Sequence, residues 1–161
     1  MGNYGKVGAL LAAVTLSACV TGHGGHGGAG LAVDKITVTV QSWGVVRERW
    51  SVERRGPDDF VGARNGQSFA ISRADFEHVH TLLQPAEHYA GRSLPCKRIM
   101  AADAQSGTIA WTRNGADAVS DWTQACAPRR HDDTLANLAT AREAVISFQA
   151  RSASASAAAT P

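Results

Sequence analysis

The N-terminal end of this chain restricts folding to the residues that follow it. Residues 7–16 are mostly apolar, the cation Lys6 precedes them, and small residues follow them. A run of about ten apolar residues is half of what a membrane-spanning helix needs. A cationic start, a short apolar run and a small-residue close are the layout of a secretory signal peptide. We therefore expect residues 1–18 to be removed and the rest of the chain to fold after export.

The residues that close the apolar run predict a lipid anchor. They read Leu16-Ser17-Ala18-Cys19, which resembles the lipobox of bacterial lipoproteins, whose cysteine sulfur carries a diacylglyceryl group. The resemblance implies that Cys19 becomes the acylated N-terminus and that membrane lipid is its partner. Two or three acyl chains anchor a protein durably, whereas one holds it only marginally. Val20, which is not Asp, further implies the periplasmic face of the outer membrane.

Two low-complexity segments flank the expected domain. Residues 19–32 contain the lipidated cysteine and the glycine-rich stretch TGHGGHGGAG, which predicts a flexible tether with a root-mean-square reach of about 20 Å. Residues 151–161 are mainly alanine and serine without a periodic apolar face, which predicts a disordered tail. The remaining residues 33–150 are enough for one domain.

The sequence contains no motif that specifies catalysis or metal binding. His23 and His26 lie in the glycine-rich tether and make at best a weak, partial metal site. His78 and His80 point about 200° apart on a helix and cannot chelate one ion together. HExxH, GxSxG and P-loop patterns are absent. We therefore expect no cofactor, no metal and no catalytic residue, and we expect a domain that is not an enzyme.

The charge of the chain argues against nucleic acid as a partner. The formal net charge is only +2, and Lys6 leaves with the signal peptide. No large basic field remains to recruit a polyanion.

Cys96 and Cys126 are the two cysteines that remain after lipidation. In an exported protein an even pair is most simply a disulfide, and neither residue lies in a CxxC motif. On the chain-entropy model, this bridge stabilises the fold by about 3 to 4 kcal/mol.

Residues 34–54 alternate as a β-hairpin with one apolar face. Its apolar residues are Ile36, Val38 and Val40 on the first strand and Trp50 and Val52 on the second. A two-residue turn would put the valines opposite arginines, because a one-residue slip flips every side chain. The parity therefore predicts a three-residue loop at residues 44–46.

With that loop, Trp43 falls on the polar face of the hairpin, opposite Arg47 and near Arg49. Tryptophan and arginine are favoured at the energetic centres of protein interfaces, and a cation can stack on an indole ring. Trp43, Arg47 and Arg49 are therefore the candidate partner-binding residues. The alternative is that Trp43 folds over the hairpin end as a satellite of the core.

The remaining elements form two similar series. A third strand is predicted near residues 67–71, followed by a helix with Ser72 as N-cap and Asp75 completing an imperfect capping box. This helix is expected to end near Gln84, because Pro85 disfavours helical geometry in the residue before it. The second series comprises a strand at 97–101, a hairpin at 108–122 turning at Asn114-Gly115, and a helix at 133–150. The prediction is an α+β fold with two successive strand-strand-strand-helix units, whose two helices pack on an antiparallel sheet.

Two family resemblances concern the domain itself. The helix entry at residues 72–76, the Leu94-Pro95-Cys96 segment and the position of Cys126 after a tryptophan-bearing hairpin resemble small proteobacterial lipoproteins of unassigned function. The hairpin from Ile36 to Val52 also resembles the protease-inhibitor family typified by emfourin. It differs by placing Trp43 where that family has glycine, and by the cysteine pair.

The sequence therefore predicts a lipid-anchored cell-envelope protein with a non-catalytic binding domain and an envelope protein as partner. One alternative is an inhibitor of an exported protease that acts through residues 43–47. The other is an envelope hydrolase whose site is assembled only in the folded protein.

Overall fold

The computed structural model describes residues 32–101, 104–126 and 133–158. The expected signal peptide, Cys19 and the tether up to residue 31 lie outside these residues. Six strands pair antiparallel in the order β4-β3-β2-β1-β5-β6. The elements along the chain are β1 (Lys35–Ser42), β2 (Val45–Arg54), β3 (Phe60–Arg64), β4 (Gln67–Ala70), α1 (Arg73–Glu87), β5 (Ser106–Arg113), β6 (Ala116–Thr123) and α2 (Thr134–Ala158).

Both helices pack on the same face of the sheet, which makes this an α+β fold as the sequence predicts. Alternate strand residues such as Val38, Trp50 and Ile109 belong to one buried cluster with Leu83 of α1 and Val145 of α2. Because successive side chains of a strand point to opposite faces, the other face of the sheet is left to polar residues. The core is therefore a single layer between the sheet and the helix pair.

The two strand-then-helix units contain four and two strands instead of three each. The sequence does not predict β3, since Gly62 in its centre weakens the strand pattern. A Cβ at this position would lie 2.3 Å from the Phe69 ring, so the glycine is needed for that contact. In the second unit, residues 97–101 do not form a strand and make only an isolated bridge between Ile99 and Cys126. These residues are exposed and include charged side chains, so they have no buried face that would hold them against the sheet as a strand.

The β1–β2 turn differs from the expected three-residue loop. Ser42 pairs with Val45, so only Trp43 and Gly44 form the turn, and both have positive φ, 55° and 72°. A β-bulge restores the alternation that places the apolar residues of both strands on one face. Val40 pairs with Glu48, whereas Gln41 pairs with Val46. Arg47 is the extra residue of this bulge. The five apolar residues of the hairpin therefore still share the buried face.

Helix α1 starts as predicted and ends later than predicted. Ser72 and Asp75 form a complete capping box. The helix continues through Pro85 to Glu87, because a proline in the last turn removes only one backbone hydrogen bond. Leu83 and Ala86 on either side of it are fully buried, and their packing favours the helical conformation.

Helix α2 continues to Ala158, past its expected end at Ala150, so residues 151–158 are helical and not a disordered tail. Alanine has the highest intrinsic helix propensity, and this extension directly follows the packed part of the helix. Arg151 also forms an ion pair with Asp75 of α1 at 2.8 Å. The last residues, 159–161, lie outside the described part of the chain.

The predicted Cys96–Cys126 disulfide is present. It joins the two residues at a Cα separation of 5.4 Å, within the normal range for such bridges. It fastens the segment after α1 to the residues that follow β6.

Candidate functional site

Trp43 occupies an unusual position in its turn. Three hairpins of the sheet have two-residue turns, at Trp43-Gly44, Asn65-Gly66 and Asn114-Gly115, and all six turn residues have positive φ. Asparagine and glycine are favoured there, because left-handed backbone costs other residues about 1 to 2 kcal/mol. A bulky aromatic residue with positive φ is an outlier. Trp43 thus occupies the turn position that asparagine occupies in the other two turns.

Trp43 is also the exposed member of the four tryptophans. The other three, Trp50, Trp111 and Trp122, are at most 5% exposed, whereas Trp43 is 77% exposed. The alternative interpretation, that Trp43 folds over the hairpin as a core satellite, therefore does not apply. Val45 and Val46, directly after the turn, are also exposed. The end of this hairpin thus presents three large apolar side chains to solvent.

Arg47 and Arg49 lie on the same hairpin as Trp43, but not in the predicted arrangement. Arg47 is the bulge residue of β2 and does not pair with Trp43. Arg49 pairs with Thr39 and lies on the face of β2 away from the helices, since its neighbour Trp50 is buried. Among the described residues, neither arginine forms an ion pair or a cation–ring contact. We call residues 43–49 the hairpin tip.

A cavity of about 420 Å³ adjoins the hairpin tip, between the sheet and α2. Arg47 of the tip, Gln105 before β5 and Leu135 of α2 all line it. The notable residue of its wall is Glu48, which is only 7% exposed. Buried carboxylates need compensating partners.

Two arginines compensate Glu48. The Nε–H group of Arg64 donates to Glu48 Oε1 at 2.6 Å, and that of Arg142 donates to Oε2 at 2.5 Å. Burial by itself raises the pKa of Glu48, but these hydrogen bonds and positive charges outweigh it and leave the pKa below its ordinary value. The carboxylate therefore stays ionised with both oxygens engaged, and it ties β2 to β3 and to α2.

Glu48 is a structural residue that was not predicted from the sequence. Strand alternation in the sequence does indicate that it is buried, because Glu48 lies on the same strand face as Trp50 and Val52. Its partners are 16 and 94 residues away in sequence, and no local pattern indicates them.

Replacing Glu48 with Gln should lower the free energy of unfolding by about 2 to 3 kcal/mol at pH 7, because two charge-assisted hydrogen bonds are lost. A carboxylate with a lowered pKa stabilises the fold above its ordinary pKa, and this contribution disappears as the pH falls through the folded-state value. The difference between the wild type and Glu48→Gln should therefore shrink below about pH 4. Urea unfolding of both proteins at pH 7 and pH 3 measures this difference in the free energy of unfolding. A difference that is equal at the two pH values would contradict this role.

The histidines of α1 do not come together. His80 Nε2 lies 2.8 Å from Glu87 Oε2, and Glu87 also pairs with Arg113, so this cluster joins α1 to the β5–β6 turn. His78 is exposed. In residues 32–101, 104–126 and 133–158, no group of three or more histidine, cysteine, aspartate or glutamate residues is placed to hold a metal ion.

In comparisons with known proteins, no family model, curated protein or solved structure matches this chain. Within the described residues, no helix is both long and apolar enough to cross a membrane.

Proposed function

We propose that this chain is a lipid-anchored cell-envelope protein whose folded domain binds a partner protein without transforming it chemically. The observation that carries the binding role is Trp43, a fully presented tryptophan in a left-handed turn position. Strained backbone persists where surrounding structure enforces it, and it is concentrated at functional sites. The lipid anchor rests on the residues around Cys19 and on the layout of the segment before them.

The surroundings of Trp43 support the same proposal. Tryptophan and arginine are enriched among residues that dominate binding energy, and Arg47 and Arg49 extend from the same hairpin with exposed side chains. The Glu48 carboxylate between them is bonded to α2 through Arg142. The hairpin tip is therefore attached to a rigid part of the fold, which reduces the entropy lost on binding.

The proposal is tested by capture from envelope membranes with the acylated full-length protein as bait. We expect a diacylated N-terminal peptide by mass spectrometry, its loss in Cys19→Ala, and a partner that Trp43→Ala no longer captures. Val119→Ala is the matched control, because Val119 is an exposed apolar residue in the middle of β6. An unmodified N-terminus would overturn the anchor, and capture that is equal for wild type and Trp43→Ala would overturn the binding site.

A protease is one class of partner that the hairpin tip suits. The turn at Trp43-Gly44 lies beyond the last residues that β1 pairs with β5, Gln41 and Ser106. A two-residue turn that extends past its neighbouring strand is a convex shape, which can enter a concave cleft. If the captured partner is an exported protease, the domain should slow hydrolysis of a peptide substrate, and Trp43→Ala should restore the rate.

A further inference from the structure

Exposed apolar side chains gather at one end of the sheet. The end of β1 lies beside the start of β5, since Gln41 pairs with Ser106, and Ser106 pairs with Thr123 at the end of β6. The bridge between Ile99 and Cys126 follows directly. Ile99 and Met100 are 68% and 61% exposed, and they therefore lie at the same end as the hairpin tip. Outside this end, Val119 is the other large apolar residue exposed in the described chain.

The 97–100 segment is held in place although it is not a strand. The disulfide of Cys96 fixes its start. The Met100 N–H group donates to the Ala125 carbonyl at 2.7 Å, next to the Ile99–Cys126 bridge. The exposed side chains of this segment are thus presented from a fixed backbone, as they are at the hairpin tip. We call the hairpin tip and residues 97–100 together the apolar end.

The apolar end also carries unpaired positive charge. Arg47, Arg49, Lys97 and Arg98 are exposed and form no ion pair within the described residues. The other lysines and arginines of the described residues, apart from Arg92, do form ion pairs with carboxylates. They are Lys35, Arg54, Arg55, Arg64, Arg73, Arg113, Arg142 and Arg151.

Two carboxylates of the described residues have partners of their own. Glu48 is bonded to two arginines, and Asp121 lies 3.5 Å from the Ser93 hydroxyl. The apolar end therefore combines large exposed apolar side chains with cations that form no ion pair among the described residues.

From this arrangement we infer that Lys97, Arg98, Ile99 and Met100 form the second half of the partner-binding surface, and that the partner is a protein with an apolar seat rimmed by aspartate and glutamate. The inference rests on the proposed function, which assigns the first half to Trp43. Complementary charge steers encounter and fixes orientation, whereas buried aromatic and apolar anchors supply most of the affinity.

A protein fits this surface better than a lipid bilayer. Asp34 precedes the first residue of β1, whereas the apolar end lies at the last residue of β1, about 24 Å away at the rise of an extended strand. The apolar end thus lies at the opposite end of β1 from the residues that lead into that strand. Its anchors are also on fixed backbone, which suits a shaped protein pocket.

Site-specific photo-crosslinking in the acylated full-length chain tests the shared surface. A photoreactive amino acid is placed at position 45, beside Trp43 in the hairpin tip, in one variant and at position 100 in another, so that Trp43 itself is retained. We expect both to link to the same protein, through peptides that contain aspartate or glutamate. Position 119 is the control and should not link to it. A partner linked from position 45 but not from position 100 would overturn this inference and leave the proposed function standing, whereas no link from either would overturn both.

Charge reversal tests the chemistry of the partner. The double variant Lys97→Glu/Arg98→Glu should weaken binding to the cross-linked protein by about 10- to 100-fold, and added salt should weaken wild-type binding. Arg92→Glu is the matched control, since Arg92 is an exposed cation outside the apolar end that forms no ion pair within the described residues, and its effect should be under about twofold. An equal effect of the two variants would overturn the inference.

Sedimentation with lipid vesicles tests whether the apolar end binds a membrane surface instead of a protein. The full-length Cys19→Ala chain, which lacks the proposed lipid anchor, is mixed with vesicles of 30% phosphatidylglycerol in phosphatidylethanolamine and sedimented. We expect this chain to remain in the supernatant. Sedimentation that Lys97→Glu/Arg98→Glu abolishes would assign the apolar end to an anionic membrane surface and overturn the protein partner.

Discussion

Replacing Trp43 with asparagine should abolish partner binding and at the same time stabilise the fold. Asparagine is the residue at the equivalent position of the other two turns, Asn65 and Asn114. It tolerates the left-handed conformation, so the free energy of unfolding should rise by about 1 kcal/mol. Loss of a central tryptophan at an interface costs about 2 kcal/mol or more, which corresponds to a loss of affinity of about 30-fold or more.

Urea unfolding and affinity measurements on the same protein preparations test both halves of this expectation. The reciprocal variant Asn114→Trp is the control, because it places tryptophan in the β5–β6 turn with the same backbone conformation. It should lose about 1 kcal/mol of stability and leave partner binding unchanged. A Trp43→Asn protein that is less stable than the wild type would show that Trp43 serves the fold, and it would remove the main argument for a binding role.

Opposite signs for stability and affinity distinguish a functional residue from a structural one. A core residue loses stability when it is replaced, and any loss of binding follows from the damaged fold. A residue that is retained for binding at a strained position gains stability when it is replaced. Trp43→Ala alone does not make this distinction, because alanine is also disfavoured at a positive φ.

Replacing Gly107 with alanine should destabilise the fold more than the same replacement at Gly62, the other crowded glycine of the sheet. Gly107 lies in β5 opposite Val40, and a Cβ there would lie 1.8 Å from the Thr39 carbonyl oxygen. That obstruction is backbone, so the paired strands β1 and β5 themselves have to separate. We expect a loss of about 4 kcal/mol in the free energy of unfolding, at the upper limit for point substitutions.

The comparison variant for Gly107→Ala is Gly62→Ala. A Cβ at Gly62 would lie 2.3 Å from the Phe69 ring, which is a side chain on the short edge strand β4 and can move. Its loss should therefore be smaller, about 1 to 3 kcal/mol. Chemical denaturation of both variants measures the difference. A loss below about 1 kcal/mol for Gly107→Ala would mean that the β1–β5 pairing adapts at little cost, contrary to this argument.

The core face of the sheet was predictable because it depends only on parity. Ile36, Val38 and Val40 alternate, and the hydrophobic drive to bury them together with Trp50 and Val52 is strong enough to fix which face is inside. The sequence did not reveal how the chain meets that requirement at the turn. A three-residue loop and a two-residue turn followed by a bulge give the same parity, and only the structure distinguishes between them.

The candidate site was predictable in its residues and not in its geometry. Trp43, Arg47 and Arg49 were selected for residue type and closeness in sequence, which local reasoning supplies. The ion pairs of Glu48 and the placement of residues 97–100 at the same end of the sheet as the hairpin tip depend on contacts between distant parts of the chain. Such contacts leave no local pattern, because the partner residues are set by the order of strands in the sheet.

The position of β1 determines how the domain responds to mechanical tension. The N-terminal segment joins the domain at one end of β1, and Trp43 follows its other end. A pull between an anchored N-terminus and a partner held at Trp43 therefore runs along the covalent backbone of one strand. That strand is already near the full extension of a polypeptide, so it cannot lengthen further. The load applied at Trp43 passes through its bonds and bypasses the ladders and the core, so tension between these two points does not pull the strands apart.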